Sequence, residues 1–334
     1  MEVVLLNKTL PSMRHHIFDI VVPVYNTDTS YLYECLSSLD QASGDYGVII
    51  VNDGSNVVTS DFLVRFVADH ESKFHLITQE NMGQNAARNV GWQNSDADYI
   101  LFVDSDDVLV DGAIPLLVEA LRSRFPDLLL YGFTSSTSAI AGLPHTVTFS
   151  DVSKRALIAE QSSLWGLAIS RSQLVEHPLV EGFHVGEDFA SVLPIIAGAS
   201  TIMRMDANLY CYRIHKGSVL HSSNYCYPFE IIAAFDSPGV QNIRAIYPSE
   251  VEWQAIKHLL FWEPLRLIDA GIINKAAKTR LFAYMRNNYP TWKSNPYLNA
   301  EASNYGLYFY LTTHGFWGLC RHIKCFKSVF PSFL

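Results

Sequence analysis

Between Phe18 and Tyr131 short apolar runs alternate with stretches whose apolar residues recur every three or four positions. The runs Asp19–Val24, Gly47–Val51, His75–Ile77, Tyr99–Val103 and Leu128–Tyr131 predict strands. The stretches Tyr31–Leu39, Phe62–Ala68, Gln84–Gln93 and Ala113–Arg124 predict helices at the 3.6-residue period. This alternation is the pattern of βα units and predicts an α/β fold, a mostly parallel sheet flanked by helices. From Ser135 to His221 the period is less regular, with one short helix predicted over Asp188–Ala197. After Tyr227 the reading is helical: Glu230–Ile246, Glu250–Ala270 and Lys275–Asn287, broken by Pro248, Gly271 and Pro290. The division expected is residues 1–225 as the nucleotide-binding part and 226–334 as a helical extension.

Composition supports a large packed core. Of 334 residues 49% are apolar and 17% charged, unlike a disordered chain. Lys and Arg number 24 against 33 Asp and Glu, a net charge of −9 that disfavours unspecific nucleic-acid binding. The five cysteines, Cys35, Cys211, Cys226, Cys320 and Cys325, form no Cys-x-x-Cys pair, which predicts free thiols in a reducing, cytoplasmic compartment. Met1–Ile17 lacks the pattern of a signal peptide, and no apolar run reaches the roughly 18 residues of a membrane span. After Glu301 there is no acidic residue, while Arg321, Lys324 and Lys327 give the tail a charge of +3. These cations alternate with Phe316, Trp317, Leu319, Ile323, Phe326, Val329 and Phe330, at spacings that gather on one helical face. Such a helix suits an anionic membrane surface; it equally suits a terminal helix docked on the body with its lysines in solvent.

Polar clusters follow three of the strands, which puts the chemistry at their carboxyl ends. Phe102-Val103-Asp104-Ser105-Asp106-Asp107 ends a strand in crowded carboxylates, whose repulsion a hard divalent cation such as Mg²⁺ or Mn²⁺ would relieve. Alone, the same residues are a turn in which Asp107 caps the next helix. Pro23-Val24-Tyr25-Asn26 closes the first strand. Asn52-Asp53-Gly54-Ser55 closes the second, where Asp53 could accept from a base N–H and Gly54 lets the backbone approach a ring. Asn81-Met82-Gly83-Gln84-Asn85-Ala86-Ala87-Arg88-Asn89 opens a helix, with Arg88 placed to reach a phosphate or brace the carboxylates.

This ordered set, four motifs over about 90 residues, resembles family 2 glycosyltransferases of the GT-A fold, including bacterial enzymes of surface-polysaccharide (O-antigen and capsule) assembly. The resemblance covers about residues 18–220. It implies a nucleotide-sugar donor, usually a UDP-sugar, and inversion at the anomeric carbon. It puts Asp53 on the base, Asp104 near the ribose or metal, and Asp106 on a metal that bridges the diphosphate. Pro23, Tyr25, Asn26, Gly54, Asn81, Gln84, Arg88 and Ser105 complete the expected donor site. One departure is Asn85, where the family often has a small residue such as Ser.

Downstream, Gly186-Glu187-Asp188-Phe189 resembles the family's Glu-Asp element, which implies that Asp188, with Glu187 beside it, supplies the general base. It opens a helix whose N-terminus favours negative charge. Trp165-Gly-Leu-Ala-Ile-Ser-Arg171 resembles the preceding segment, with Trp165 either an aromatic wall for a sugar or a core residue. Tyr212-Arg213-Ile214-His215-Lys216-Gly217-Ser218 resembles a basic loop over the diphosphate. There His215 would ligate the metal, or would join Arg213 and Lys216 in neutralising the leaving group. A saccharide acceptor carried on a polyprenyl diphosphate, at the inner face of the cytoplasmic membrane, follows from family habit and the basic tail. Nucleotidyl transfer is disfavoured because no glycine-rich loop with a lysine follows the first strand, and a dehydrogenase because no Gly-x-Gly-x-x-Gly does. A non-catalytic scaffold is the remaining rival.

Overall fold

The computed structural model describes residues 15–41, 44–135, 147–213, 228–272 and 274–329. They fall into two compact units. One runs to Lys154 and resumes at Ser162; the other takes Arg155–Gln161 and the described residues from 228 onward.

The first unit is built on nine strands: β1 (Phe18–Val24), β2 (Tyr46–Asp53), β3 (Phe74–Gln79), β4 (Tyr99–Phe102), β5 (Val108–Leu109), β6 (Leu128–Thr134), β7 (Phe149–Asp151), β8 (Leu167–Ser170) and β9 (Ile202–Cys211). Their order is β3-β2-β1-β4-β8-β6-β9-β5, with β7 on β9. The half made of β3, β2, β1 and β4 is parallel. β8 runs antiparallel to both its neighbours, β5 and β7 run antiparallel to β9, and β6 and β9 are parallel, so the sheet is mixed. Every residue of β1 and β2 is buried, as expected of strands covered on both faces.

Helices α1 (Thr29–Leu39), α2 (Val57–Asp69), α3 (Gln84–Gln93) and α4 (Ala113–Arg124) follow β1, β2, β3 and β5, and α6 (Arg171–Glu176) and α7 (Glu187–Gly198) lie between β8 and β9. The buried residues of α1, Leu32, Cys35, Leu36 and Leu39, repeat at three and four, which is why the period foretold it. Asp28 caps α1 by accepting from Ser30 N, and Asn56 caps α2 by accepting from Thr59 N. α3 lies close on β1: a Cβ at Gly91 would stand 2.3 Å from Val21 Cγ1, so only glycine fits there. That proximity carries the polar face of α3 to the carboxyl end of the sheet.

The second unit is helical. It comprises most of α5 (Lys154–Glu160), then α8 (Glu230–Asp236), α9 (Pro238–Ile246), α10 (Pro248–Lys257), α11 (Glu263–Asp269), α12 (Lys275–Asn288), α13 (Pro296–Thr313) and α14 (Trp317–Val329). Two of the expected helices are divided. Glu230–Ile246 breaks at Ser237, because Pro238 takes the first position of a new helix, where its missing N–H costs nothing. Glu250–Ala270 is interrupted by a π-helical turn, His258–Trp262. α10 holds α5 by side chains: Gln254 Nε2 donates to the carbonyls of Ile158 and Gln161, and Lys257 Nζ to that of Ala159.

The apolar residues of the tail do not share one face. Trp317 and Cys320 are buried, and Trp317 Nε1 donates to Thr312 O, so α14 docks on its own unit. Phe316 and Leu319 are 51% and 52% exposed. The side chains of Phe326, Val329 and Phe330 lie outside the described part. Among the described residues no helix is long and apolar enough to cross a membrane. Cys35, Cys211 and Cys320 are free and buried.

Candidate active site

The motif residues converge at the carboxyl ends of β1, β2 and β4. The link is Arg88, 1% exposed on the first turns of α3. Its Nη2 stands 2.7 Å from Asp104 Oδ1, just past β4, and its Nη1 stands 2.5 Å from Asp188 Oδ1, at the start of α7. Gln84 Nε2 adds a second donor to Asp104 Oδ1, at 2.9 Å. One guanidinium therefore joins the two acidic motifs, the bracing role foreseen for it, and its fork geometry fixes both carboxylates. The two anions also favour its charged form, enough to outweigh burial and raise its pKa. Asp188 Oδ2 faces Leu164 N, at 3.4 Å.

Burial, assisted by the charges of Asp188 and Asp106 and opposed by Arg88, pushes Asp104 up to about 6. Glu187 is pushed up to about 8 by burial and by the charge of Asp188. Both effects favour the protonated form of Glu187, beside the carboxylate of Asp188.

Asp107 is not a helix cap: the residue before α4 is Gly112. Asp107 is buried, accepting from Tyr210 Oη at 2.6 Å and from Arg213 N at 2.7 Å. Tyr210 Oη in turn accepts from Asp104 N at 3.2 Å, so the end of β9 props the acidic turn. Trp165 stacks on Tyr210 with centroids 5.1 Å apart and on Tyr212 at 5.7 Å, the packing alternative of its two readings. Ser105 Oγ meets Thr27 Oγ1 at 2.6 Å, tying the acidic turn to the turn after β1.

Asp53 Oδ1 accepts from Gln79 Nε2 and Met82 N, and Oδ2 from Gly83 N. Hydrogen bonds to a charged acceptor contribute about 1.5–3 kcal/mol each, so Asp53 is the clamp of the turn that leads into α3. Gly54, at φ +70°, is approached by Asn81 N, 2.7 Å from where a Cβ would stand, so only glycine fits there. Asn26, at φ 52°, accepts from Asn56 N and Nδ2 and is locked to the turn after β2, while Tyr25 beside it is exposed. Pro23 is buried in the ladder opposite Val51, and Asn81 and Gln84 are exposed.

Arg213 faces α1. Its guanidinium pairs with Glu34 at 2.6 Å and lies 4.7 Å from the centre of the Tyr31 ring, both on α1, so its charge is already matched. His215 and Lys216 lie outside the described residues.

Residues 19–173 match the family model Glycosyl transferase family 2. They form a family 2 glycosyltransferase domain. Among curated relatives, the glycosyltransferase GlyA of Streptococcus pneumoniae serotype 4 is 27% identical over 217 residues. That alignment covers 60% of this chain and 31% of GlyA, so the chain spans less than a third of that relative. In fold, the chain superposes on S. aureus TarS 1-349 in complex with UDP-GlcNAc, with a TM-score of 0.60, 18% identity, and coverage of 83% of this chain and 90% of that one. It also resembles mannosyltransferase PcManGT from Pyrobaculum calidifontis, in complex with GDP-Man and Mn²⁺ (TM-score 0.54, 15% identity, 96% and 88% covered). Both are likenesses of fold, and they make the first unit a GT-A fold.

The site's own donor set limits what ion could bind. Among the described residues no three His, Cys, Asp or Glu side chains gather as a metal cage. Asp104 and Asp106 are two hard oxygen donors, two residues apart, and the pKa of Asp104 is raised by burial first and then by the charges of Asp188 and Asp106. That suits Mg²⁺ or Mn²⁺ bound through one or two carboxylates with substrate phosphates completing the shell. It does not suit a closed structural site.

Proposed function

We propose that the chain is an inverting glycosyltransferase. It moves a hexosyl group from a UDP-sugar to a hydroxyl of a saccharide carried on polyprenyl diphosphate, in bacterial surface-polysaccharide synthesis. The reading rests on one observation above all: Arg88 ties Asp104, in the acidic turn, to Asp188, at the head of α7. A carboxylate cluster that served only as a turn would need no such bridge to a second acidic motif.

In the proposed step the acceptor hydroxyl gives its proton to Asp188 while its oxygen attacks the anomeric carbon. The bond from that carbon to the diphosphate oxygen breaks on the opposite face, and the electron pair leaves with the nucleoside diphosphate. Mn²⁺ or Mg²⁺ on Asp106 and Asp104 would supply charge neutralisation to that leaving group. Arg88 holds Asp188 in place, and Gln84 and Arg88 hold Asp104. His215 and Lys216 are proposed to neutralise the diphosphate. The division of labour proposed gives donor binding and chemistry to residues 1–225, and acceptor and membrane contact to 226–334, with the protein on the cytoplasmic side.

Calorimetric titration with UDP, GDP and CDP, with Mn²⁺ and again with EDTA, tests the donor class. Metal-dependent binding of UDP alone is expected. No binding of any nucleotide would move the chain to the scaffold class.

A further inference from the structure

Asn85 is 3% exposed on the first turn of α3, and each polar atom of its side chain is used. Oδ1 accepts from Arg88 Nη1 at 2.9 Å, the same nitrogen that holds Asp188. Nδ2 donates to Val180 O at 2.9 Å and to Ser191 Oγ at 3.0 Å. Ser191, itself buried, donates to Glu187 O at 2.7 Å and accepts from Val180 N at 2.9 Å. Asn85 thus touches Arg88 on one side and, through Ser191, the first turn of α7 on the other. It meets no atom of the acidic turn after β4 in any of these bonds.

We infer that Asn85 is a positioning residue: with Ser191 it forms a buried bracket that fixes both the Arg88 guanidinium and the first turn of α7, and so sets where the Asp188 carboxylate points. The inference rests on the reading of Asp188 as the base. A small residue at position 85 keeps neither half of the bracket, since it reaches neither Arg88 nor Ser191. Buried polar groups that are fully satisfied specify one arrangement, and Asn85 and Ser191 form such a set. The cost of losing it falls on geometry. A displacement of about 1 Å at a reacting group lowers turnover by as much as about 10²-fold while leaving binding of the other substrate intact.

The test compares wild type with Asn85→Ala, Ser191→Ala and the double variant of the full chain. It measures turnover of the UDP-sugar, UDP affinity by calorimetry with Mn²⁺, and amide hydrogen exchange across residues 179–191. The expected result is a turnover about 10- to 100-fold lower in each single variant with UDP affinity unchanged, faster exchange confined to Val180 and the first turn of α7, and little further loss in the double variant because both changes cut one bracket. Wild-type turnover in both single variants, or exchange unchanged at α7, would overturn the inference. A variant that loses stability alone would keep its turnover per folded molecule. If Asn85→Ala does not fold, Asn85→Ser, whose short hydroxyl is polar but keeps neither half of the bracket, and Ser191→Ala decide the matter. If wild type turns over no nucleotide sugar, the transfer reading fails. The exchange data then decide the bracket by themselves: faster exchange at α7 upholds it, and unchanged exchange removes it.

Discussion

Arg88 Nη1 lies 2.5 Å from Asp188 Oδ1, although 100 positions separate the two residues in the chain. The contact crosses from the helix after β3 to the helix before β9, and it is the reason two acidic motifs distant in sequence act at one place. Arg88→Ala leaves Asp104 and Asp188 without their shared countercharge. Breaking a buried pair in this way costs about 3 kcal/mol or more. Urea unfolding should record that loss, and sugar transfer should disappear. Arg88→Lys restores a charge but no fork, so it should recover stability more than transfer.

Glu187 gives the fold a pH dependence. Its pKa is raised from 4.5 to about 8, chiefly by burial and then by the charge of Asp188. The folded chain keeps a proton that the unfolded chain gives up above its lower pKa. Stability is therefore unaffected by this group below that value and is lost as pH rises toward the folded one. Glu187→Gln removes the slope. Urea unfolding at about pH 5 and about pH 8 should show a smaller fall for the variant than for wild type.

Asp106 is assigned to the cation and Asp104 to the cation and Arg88 together. Asp106→Ala should keep its fold, because Asp106 stands in the turn that Tyr210 and Asp107 prop from the other side. It should lose the Mn²⁺ dependence of UDP binding in calorimetry. UDP binding in the variant that keeps the wild type's Mn²⁺ dependence would remove the metal from Asp106.

Much of the first unit was legible from periodicity. α3 and α4 have the predicted ends because glycines, Gly83 and Gly112, precede them and their apolar spacing is regular. β8 escaped because its four residues, Leu167–Ser170, three of them apolar, have no period of their own and owe their state to β4 and β6 on either side. The break at Ser237 is written in Pro238, but the apolar spacing carries through it. At the site, motif order singled out Asp104, Asp188 and Arg88, and the fold brings the two carboxylates to one guanidinium. What it could not give was the choice of partner: Asp53 spends its carboxylate on the 79–83 turn and Arg213 its charge on Glu34, and a sequence does not say which of several donors a carboxylate will meet. Tyr210 and Ser191 left no signal, since an alternating strand and an apolar helix face account for them fully.

Membrane contact, if α14 provides it, must use the residues that face outward. Trp317 and Cys320 are consumed by docking, whereas Phe316 and Leu319 are exposed beside Arg321. Phe316→Ser with Leu319→Ser should lower cosedimentation with vesicles containing anionic lipid while leaving the thermal midpoint near wild type. Unchanged cosedimentation would make α14 a structural helix only.

The central claim is that Asp188 takes the acceptor's proton and Arg88 holds it there. Turnover of the UDP-sugar by Asp188→Asn, set beside its calorimetric affinity for UDP with Mn²⁺, tests this most directly. Transfer lost with UDP affinity retained is the result predicted; near wild-type turnover in that variant would contradict the assignment.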